Sequence, residues 1–228
     1  MAGGVTRAVV LYEASGVIRD ALIARGHDAI SVDLRPTQRP GPHWQGDVFE
    51  YLATPDFATR RLVIAHPPCT YLAGSGLHWN GRVPGRAEKT AQALADVRRL
   101  IAALDGKLWA IENPVGLIGT QIMPAFDTVQ PYEFGDDASK RTCFYGNLPP
   151  LMRDPAKRQP GRWVIDPRNG KKVERWANQT DSGQNRLPPS ADRWALRSET
   201  YPGLAAAIAE QWGSYEPETD LFSLAMAK

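Results

Sequence analysis

Arg61-Leu62-Val63-Ile64-Ala65-His66-Pro67-Pro68-Cys69-Thr70 carries the strongest structural signal in the chain. Its four consecutive apolar residues suit a central parallel strand covered on both faces. Pro67 cannot donate to a sheet ladder, and each proline pushes the residue before it out of the helical region, so the strand ends there. Cys69 is thereby delivered just past the carboxyl end of a strand, where open α/β sheets bind their ligands. A thiol in that place is a candidate nucleophile.

Upstream, Ala8-Val9-Val10-Leu11-Tyr12 reads as a first strand and Glu13-Ala14-Ser15-Gly16 as a turn. Val17 to Arg25 has helical spacing, and Gly26 closes it as a helix C-cap does. Ala29-Ile30-Ser31-Val32-Asp33 is a second strand ending in an acid. A strand, turn, helix, strand and acid in this order open a nucleotide-binding unit, the acid accepting from ribose hydroxyls. A strand-end acid is also a common turn former, so Asp33 has both readings. Residues 34–45 read as a connecting loop. Gly46-Asp47-Val48 then leads into a short helix over Phe49 to Ala53.

Downstream, Tyr71 to Gly76 reads as a loop freed by Gly74 and Gly76 to close over a substrate, or as a plain surface turn. Arg86 to Leu104 has the clearest helical period and reads as scaffold. Leu108-Trp109-Ala110-Ile111 is a further buried strand, ending in Glu112-Asn113-Pro114. Cys69 and Glu112 are therefore expected at one rim of a parallel sheet. Thr128 to Tyr132 and Thr142 to Tyr145 are later strands, with Cys143 as inert core. Residues 150–192 read as an irregular, proline-rich insert. Leu204 to Trp212 is a helix that returns to the main domain.

The 228 residues suffice for one sizeable core, and the 43% hydrophobic and 23% charged content is that of an ordinary globular protein. No apolar run approaches the roughly 20 residues of a membrane span. The first residues lack the pattern of a secretory signal. Two cysteines provide neither a disulfide framework nor a metal-type spacing, so a reducing cytoplasm and no metal are expected. The net charge of +2 decides nothing about a nucleic-acid partner. Between Arg153 and Arg197, however, eleven basic residues stand against five acidic ones, with Trp163, Trp176 and Trp194 among them. Such a stretch suits phosphates and stacked bases, and equally a solvated surface segment.

A strand-end cysteine beside a strand-end glutamate is what chemistry at carbon 5 of cytosine requires. Addition of a thiolate to C6 turns the ring into an enamine whose C5 can attack a methyl donor. A carboxyl group at N3 and the exocyclic amine takes up the developing charge. Glu112 is expected to be raised by burial above its ordinary value of about 4.3. Cys69 has to reach the thiolate from about 8.5. His66 either poises that thiol electrostatically or is a packed residue donating to a backbone carbonyl. No residue is assigned as the base that removes the C5 proton, a role water can fill.

On these residues the chain resembles a short DNA cytosine-5 methyltransferase of the bacteriophage or prophage kind. Leu11 to Arg19 is similar to that family's S-adenosylmethionine loop, Pro67-Pro68-Cys69 to its nucleophile motif, and Glu112-Asn113-Pro114 to its Glu-Asn-Val. Ser139-Lys140-Arg141-Thr142 is similar to the basic motif that touches the cytosine carbonyl, with either Lys140 or Arg141 in the arginine's role. The resemblance implies a Rossmann-like S-adenosylmethionine-dependent methyltransferase fold, a mostly parallel sheet with helices on both faces plus a small irregular insert. It implies Cys69, Glu112, Lys140 and Arg141 as catalytic residues. It implies S-adenosyl-L-methionine held by Tyr12, Glu13, Ala14, Ser15, Gly16, Asp33, Asp47 and Pro68. DNA is expected at Ser75, Arg162, Trp163, Arg175 and Trp176. The expected organisation is a catalytic domain over 1–149, a reduced target-recognition insert over 150–190 and a C-terminal segment over 191–228. The expected location is the cytoplasm of a bacterial host.

The chain departs from the family pattern in several places. Ala14 and Val17 replace two loop glycines, His66 stands where glycine is usual, and Thr70 stands where glutamine is usual. The insert is too small to read a long sequence, so a short preference or a partner chain for recognition is expected. Two alternatives remain open: the same chemistry on a free cytosine nucleotide or RNA, and a non-catalytic DNA-binding relative.

Overall fold

In the computed structural model, which describes residues 4–190, 193, 197 and 199–217, Leu62–Ala65 is the middle strand of a seven-stranded sheet. The strands are β1 (Arg7–Leu11), β2 (Asp28–Asp33), β3 (His43–Gln45), β4 (Leu62–Ala65), β5 (Leu108–Pro114), β6 (Asp127–Val129) and β7 (Thr142–Gly146), in the order β3-β2-β1-β4-β5-β7-β6. The first five run parallel, and β7 runs antiparallel to both β5 and β6. The chain winds outward from β1 to β3, then returns to lay β4 on the other side of β1. That reversal makes the carboxyl ends of β1 and β4 the switch point at which sheets of this kind take ligands.

The helices are α1 (Val17–Ala24), α2 (Val48–Tyr51), α3 (Pro55–Thr59), α4 (Arg86–Ala103), α5 (Leu117–Gln121) and α6 (Pro202–Trp212). Successive strand residues face opposite sides, so the apolar runs feed two cores. Leu62 and Ile64 join Ala8, Val10 and Phe144 under α1 and α6. Val63 and Ala65 join Val9, Leu11 and Ile111 under α2 to α5. All four residues of β4 are fully buried, which explains why the run carries no polar alternation. α6 does return to the sheet, packing on α1. Trp212 meets Phe144 edge-on at 5.0 Å and donates to the Pro149 carbonyl at 3.0 Å.

The loop after β2 is tied down by a buried cation. Arg19 is fully buried, and its guanidinium donates to Asp20, Ser31, Thr37 and the carbonyl of Arg39 at 2.8–3.1 Å. Gly16, at φ 72°, leaves room for it: a Cβ there would lie 2.4 Å from Nη2.

Four details differ from the sequence reading. β5 does not stop before Pro114. Past Ile111 it is an edge, paired only with β7, and an edge tolerates a missing N–H. The proline-rich loop of residues 34–45 hides the three residues of β3 at the sheet margin. Strand pairing in the 128–132 segment ends at Val129, and Pro131–Phe134 is a 3-10 turn. The insert is not wholly irregular, since Arg162–Ile165 (β8) and Lys172–Arg175 (β9) form an antiparallel hairpin. Trp194 and Asp192 of the basic stretch lie outside the described residues.

Replacing Arg19 by methionine leaves the buried Ser31 hydroxyl, the half-buried Thr37 hydroxyl and the Arg39 carbonyl without this donor. The expected loss is about 3 kcal/mol of unfolding free energy in urea titration. A loss below about 1 kcal/mol would contradict the clasp.

Candidate active site

The ends of β4 and β5 are joined by side chains as well as by the sheet. The ladder between them closes at Ala65 opposite Ile111. One residue further along each strand, His66 Nδ1 meets Glu112 Oε2 at 3.2 Å. One more residue along, the buried Asn113 Nδ2 donates to the Pro67 carbonyl at 2.9 Å. Thr142 of β7 donates its hydroxyl to Glu112 Oε1 at 2.9 Å. The Pro67-Pro68-Cys69 turn is thus fastened to the strand that carries the glutamate. Cys69 is exposed at the rim, while Cys143 is buried. His66 does not donate to a backbone carbonyl; its hydrogen-bond partner is the Glu112 carboxylate.

The electrostatics correct the expectation for Glu112. Burial does push its carboxyl up, but the Lys140 ammonium and the contacts from His66 and Thr142 outweigh it and hold the group at about 2. In the free protein Glu112 is a carboxylate. Partial enclosure and the Glu112 charge raise the Cys69 thiol above its ordinary value, with Lys140 and Arg197 acting in the opposite sense. The Glu112 charge thus reaches the Cys69 thiol.

Lys140 and Thr142 both line a small cavity over Glu112 and His66, whereas Arg141, one residue out of phase, is exposed. The geometry therefore brings Lys140 and not Arg141 to the glutamate. Asn178 of the insert fixes this segment, accepting from Ser139 N and donating to Ser139 O, each at 3.0 Å. The cavity measures about 10 Å³ and is closed on one side by Thr200, Tyr201 and Leu204. It has room for one water and not for a pyrimidine ring.

The expected cofactor residues gather at the same rim. Tyr12 follows β1 with φ 60°, the sole non-glycine positive φ among the described residues. Such strain collects at functional sites. Glu13 is buried, and its carboxylate accepts from Ile18 N at 2.8 Å and Arg19 N at 3.3 Å, capping α1. Ala14 and Gly16 are buried, Ser15 is half-buried and Pro68 is exposed. Asp33 ends β2 and is engaged by Arg35 through Nε at 3.0 Å and Nη2 at 3.1 Å. Asp47 caps α2, accepting from Phe49 N at 2.8 Å.

The expected DNA residues divide. Ser75 is exposed on a 3-10 turn (Gly74–Trp79) that comes after the cysteine. That turn is no free flap: Leu72 and Ala73 are held against Leu117 and Gly116 by backbone contacts. Trp163 is 63% exposed on β8. Trp176 is a correction. It is buried, stacked on Tyr132 at 3.9 Å and 7°, with its indole N–H on the Gln159 carbonyl, so it offers no face to a base. Arg162 is paired with Asp181 and Arg175 with Asp166, leaving less free charge on the hairpin than composition implied.

Reading residues one at a time missed Asn113, Thr142 and the Glu112 partnership of His66. The only signal in the sequence was that His66 and Glu112 occupy equivalent positions after their strands. Among the described residues no group of three His, Cys, Asp or Glu side chains could hold a metal ion, and no helix is long and apolar enough to cross a membrane. No family model matches the chain, and no curated protein matches it.

Held well below its ordinary value, Glu112 stabilises the fold above pH about 4.3 and loses that contribution as pH falls toward its folded value. Glu112→Gln is expected to lower stability by about 3 kcal/mol at pH 7. The gap from wild type should close as the pH approaches about 2. Unfolding midpoints measured across that range check this, and a gap that stays constant down to pH about 3 would contradict it.

Proposed function

We propose that the protein is a DNA cytosine-5 methyltransferase using S-adenosyl-L-methionine, built on the Rossmann-like fold of that enzyme class. The observation that carries this reading is an exposed Cys69 fastened beside Glu112 at the ends of two adjacent parallel strands. The sheet order supports it in part. It keeps the nucleotide-binding order 3-2-1-4-5 but slots the reversed β7 before β6.

The residues at the switch point fit a nucleoside donor better than a dinucleotide. A pyrophosphate sits on free N–H groups at a helix N-terminus. Here the Glu13 side chain already occupies those of Ile18 and Arg19. S-adenosyl-L-methionine has no phosphate. Tyr12 to Gly16 would hold it from the β1 turn, with Asp33 and Asp47 at the ends of neighbouring elements. A carboxylate offers about four lone-pair sites, so Asp33 can accept ribose hydroxyls while keeping Arg35. When bound, the donor supplies an electrophilic methyl group.

The chain's own residues then have separable tasks. Cys69, as thiolate, attacks C6 of a cytosine turned out of the stack, since the ring cannot be reached inside a duplex. Glu112 faces N3 and the exocyclic amine, and Lys140 lies near enough to oppose the charge on the ring carbonyl. Thr142 and His66 keep both carboxylate oxygens aimed, and Asn113 keeps the cysteine turn in register with them. Admission of the ring requires Thr200 and Tyr201 to be displaced from the cavity over Glu112.

A second reading keeps this chemistry and changes the substrate to a free cytosine nucleotide or RNA. The internally paired Arg162 and Arg175 and the packed Trp176 favour it, because they reduce the surface available for duplex contact.

Incubation with methyl-labelled donor and mixed-sequence duplex is expected to place label on cytosine C5, and Cys69→Ser to reduce it to background. Parallel incubations with dCMP, single-stranded DNA and RNA decide between the two readings. Bound donor with no label on C5 of any substrate would contradict both.

A further inference from the structure

Glu112 poses a chemical difficulty for the function proposed above, and the arrangement around it contains an answer. To stabilise the adduct at C6, the group at N3 has to deliver a proton, yet Glu112 is a carboxylate held by Lys140, His66 and Thr142. An ionised carboxylate only accepts, so at 3.2 Å the hydrogen between it and His66 belongs to Nδ1. The opposite nitrogen, Nε2, is buried with no hydrogen-bond partner. A buried ring nitrogen without a partner needs a physical account. His66 also lines the cavity of about 10 Å³, the space of a single water.

We propose that His66 is a proton relay behind Glu112, supplying the proton that Glu112 delivers to N3. The inference rests on the cytosine C5 reading. The relay requires that, before addition, Cys69 has lost its proton to solvent and His66 carries protons on both nitrogens. As the thiolate forms its bond to C6, the Nδ1 proton of His66 passes to the Glu112 carboxylate and on to N3. The C5–C6 pair becomes the C4–C5 double bond and the former C4–N3 π pair takes the proton, leaving Glu112 a carboxylate and the His66 ring neutral. Elimination of Cys69 runs the same transfers backward. No other reactant is consumed.

The groups around His66 suit this task. Glu112 on β5 is hydrogen-bonded to it, and Glu13, after β1, is a second buried carboxyl group near it, pushed up by burial with His66 acting in the opposite sense. Lys140 and Thr142 act on the far side of Glu112, and Cys69 lies three residues along the same turn. His66 does not touch the base and is a positioning and relay residue. Its place is one that the family pattern gives to glycine, so this chain has a feature of its own to explain.

The relay can be tested without the methyl donor. Reversible addition of Cys69 at C6 makes C5 basic enough to exchange its hydrogen with solvent, so loss of tritium from [5-³H]cytosine DNA reads the addition step directly. The substrate form that exchanges fastest in the wild type, duplex or single-stranded DNA, dCMP or RNA, is then used. The wild type is expected to show a rate that falls at alkaline pH as the relay proton is lost. His66→Asn keeps a donor near the Nδ1 position but cannot pass a proton. It is expected to exchange roughly 10²–10⁴-fold more slowly and without the alkaline fall. His66→Gln repeats the test should the asparagine variant fold poorly. A variant that keeps the wild-type rate, or the same alkaline limb, overturns the relay alone. A folded wild type that exchanges none of these substrates overturns the cytosine reading and the relay with it.

Discussion

Two hydrogen bonds between the ends of β4 and β5, His66 to Glu112 and Asn113 to the Pro67 carbonyl, hold the candidate site together. Parallel strands end side by side, but the segments beyond their ends are free to diverge. Here the divergence is prevented at the first two residues past the paired ladder. The consequence is that the turn carrying the thiol is anchored, at His66 and Pro67, to the strand carrying the carboxylate. Everything proposed about chemistry depends on that clasp. Its cost is a cluster of buried polar groups, including an Asn113 Oδ1 and a His66 Nε2 without partners. Such unsatisfied groups are uncommon and are tolerated where they serve a purpose.

The sheet was legible because its signals are local. Leu62 to Ala65 is uniformly apolar, Pro67 and Pro68 end it, and Gly26 closes α1, each for reasons of backbone sterics. The placement of Cys69 and Glu112 on one rim came from the same signals. The illegible features depend on partners distant in sequence. The pairing of β5 with β7 lets Pro114 sit within a strand, and only the sheet order reveals that Pro114 lies on an edge. The same holds for the charge state of Glu112. Burial alone predicts a raised group, and only the positions of Lys140 and His66 reverse the sign. Trp176 looked like a stacking platform from composition, yet Tyr132 covers it.

The turn after β1 illustrates how one substitution pattern can change a ligand class. A glycine-rich turn leaves helix N–H groups free for phosphate. In this chain Glu13 fills that position, Arg19 is drawn inward beneath Gly16, and the loop of residues 37–40 is clamped to it. With Glu13 on the N–H groups of Ile18 and Arg19, this turn suits the phosphate-free donor proposed above better than a dinucleotide.

The central claim is that Cys69 forms a covalent bond to C6 of a cytosine while Glu112 grips the opposite edge. A substrate carrying 5-fluorocytosine, in whichever form the methylation assay selects, tests this most directly, because fluorine at C5 cannot leave as a proton and the adduct persists. With methyl donor present, intact-mass measurement should find protein and substrate joined one to one, and peptide mapping should place the link on Cys69. No adduct, or an adduct on Cys143, would contradict the account.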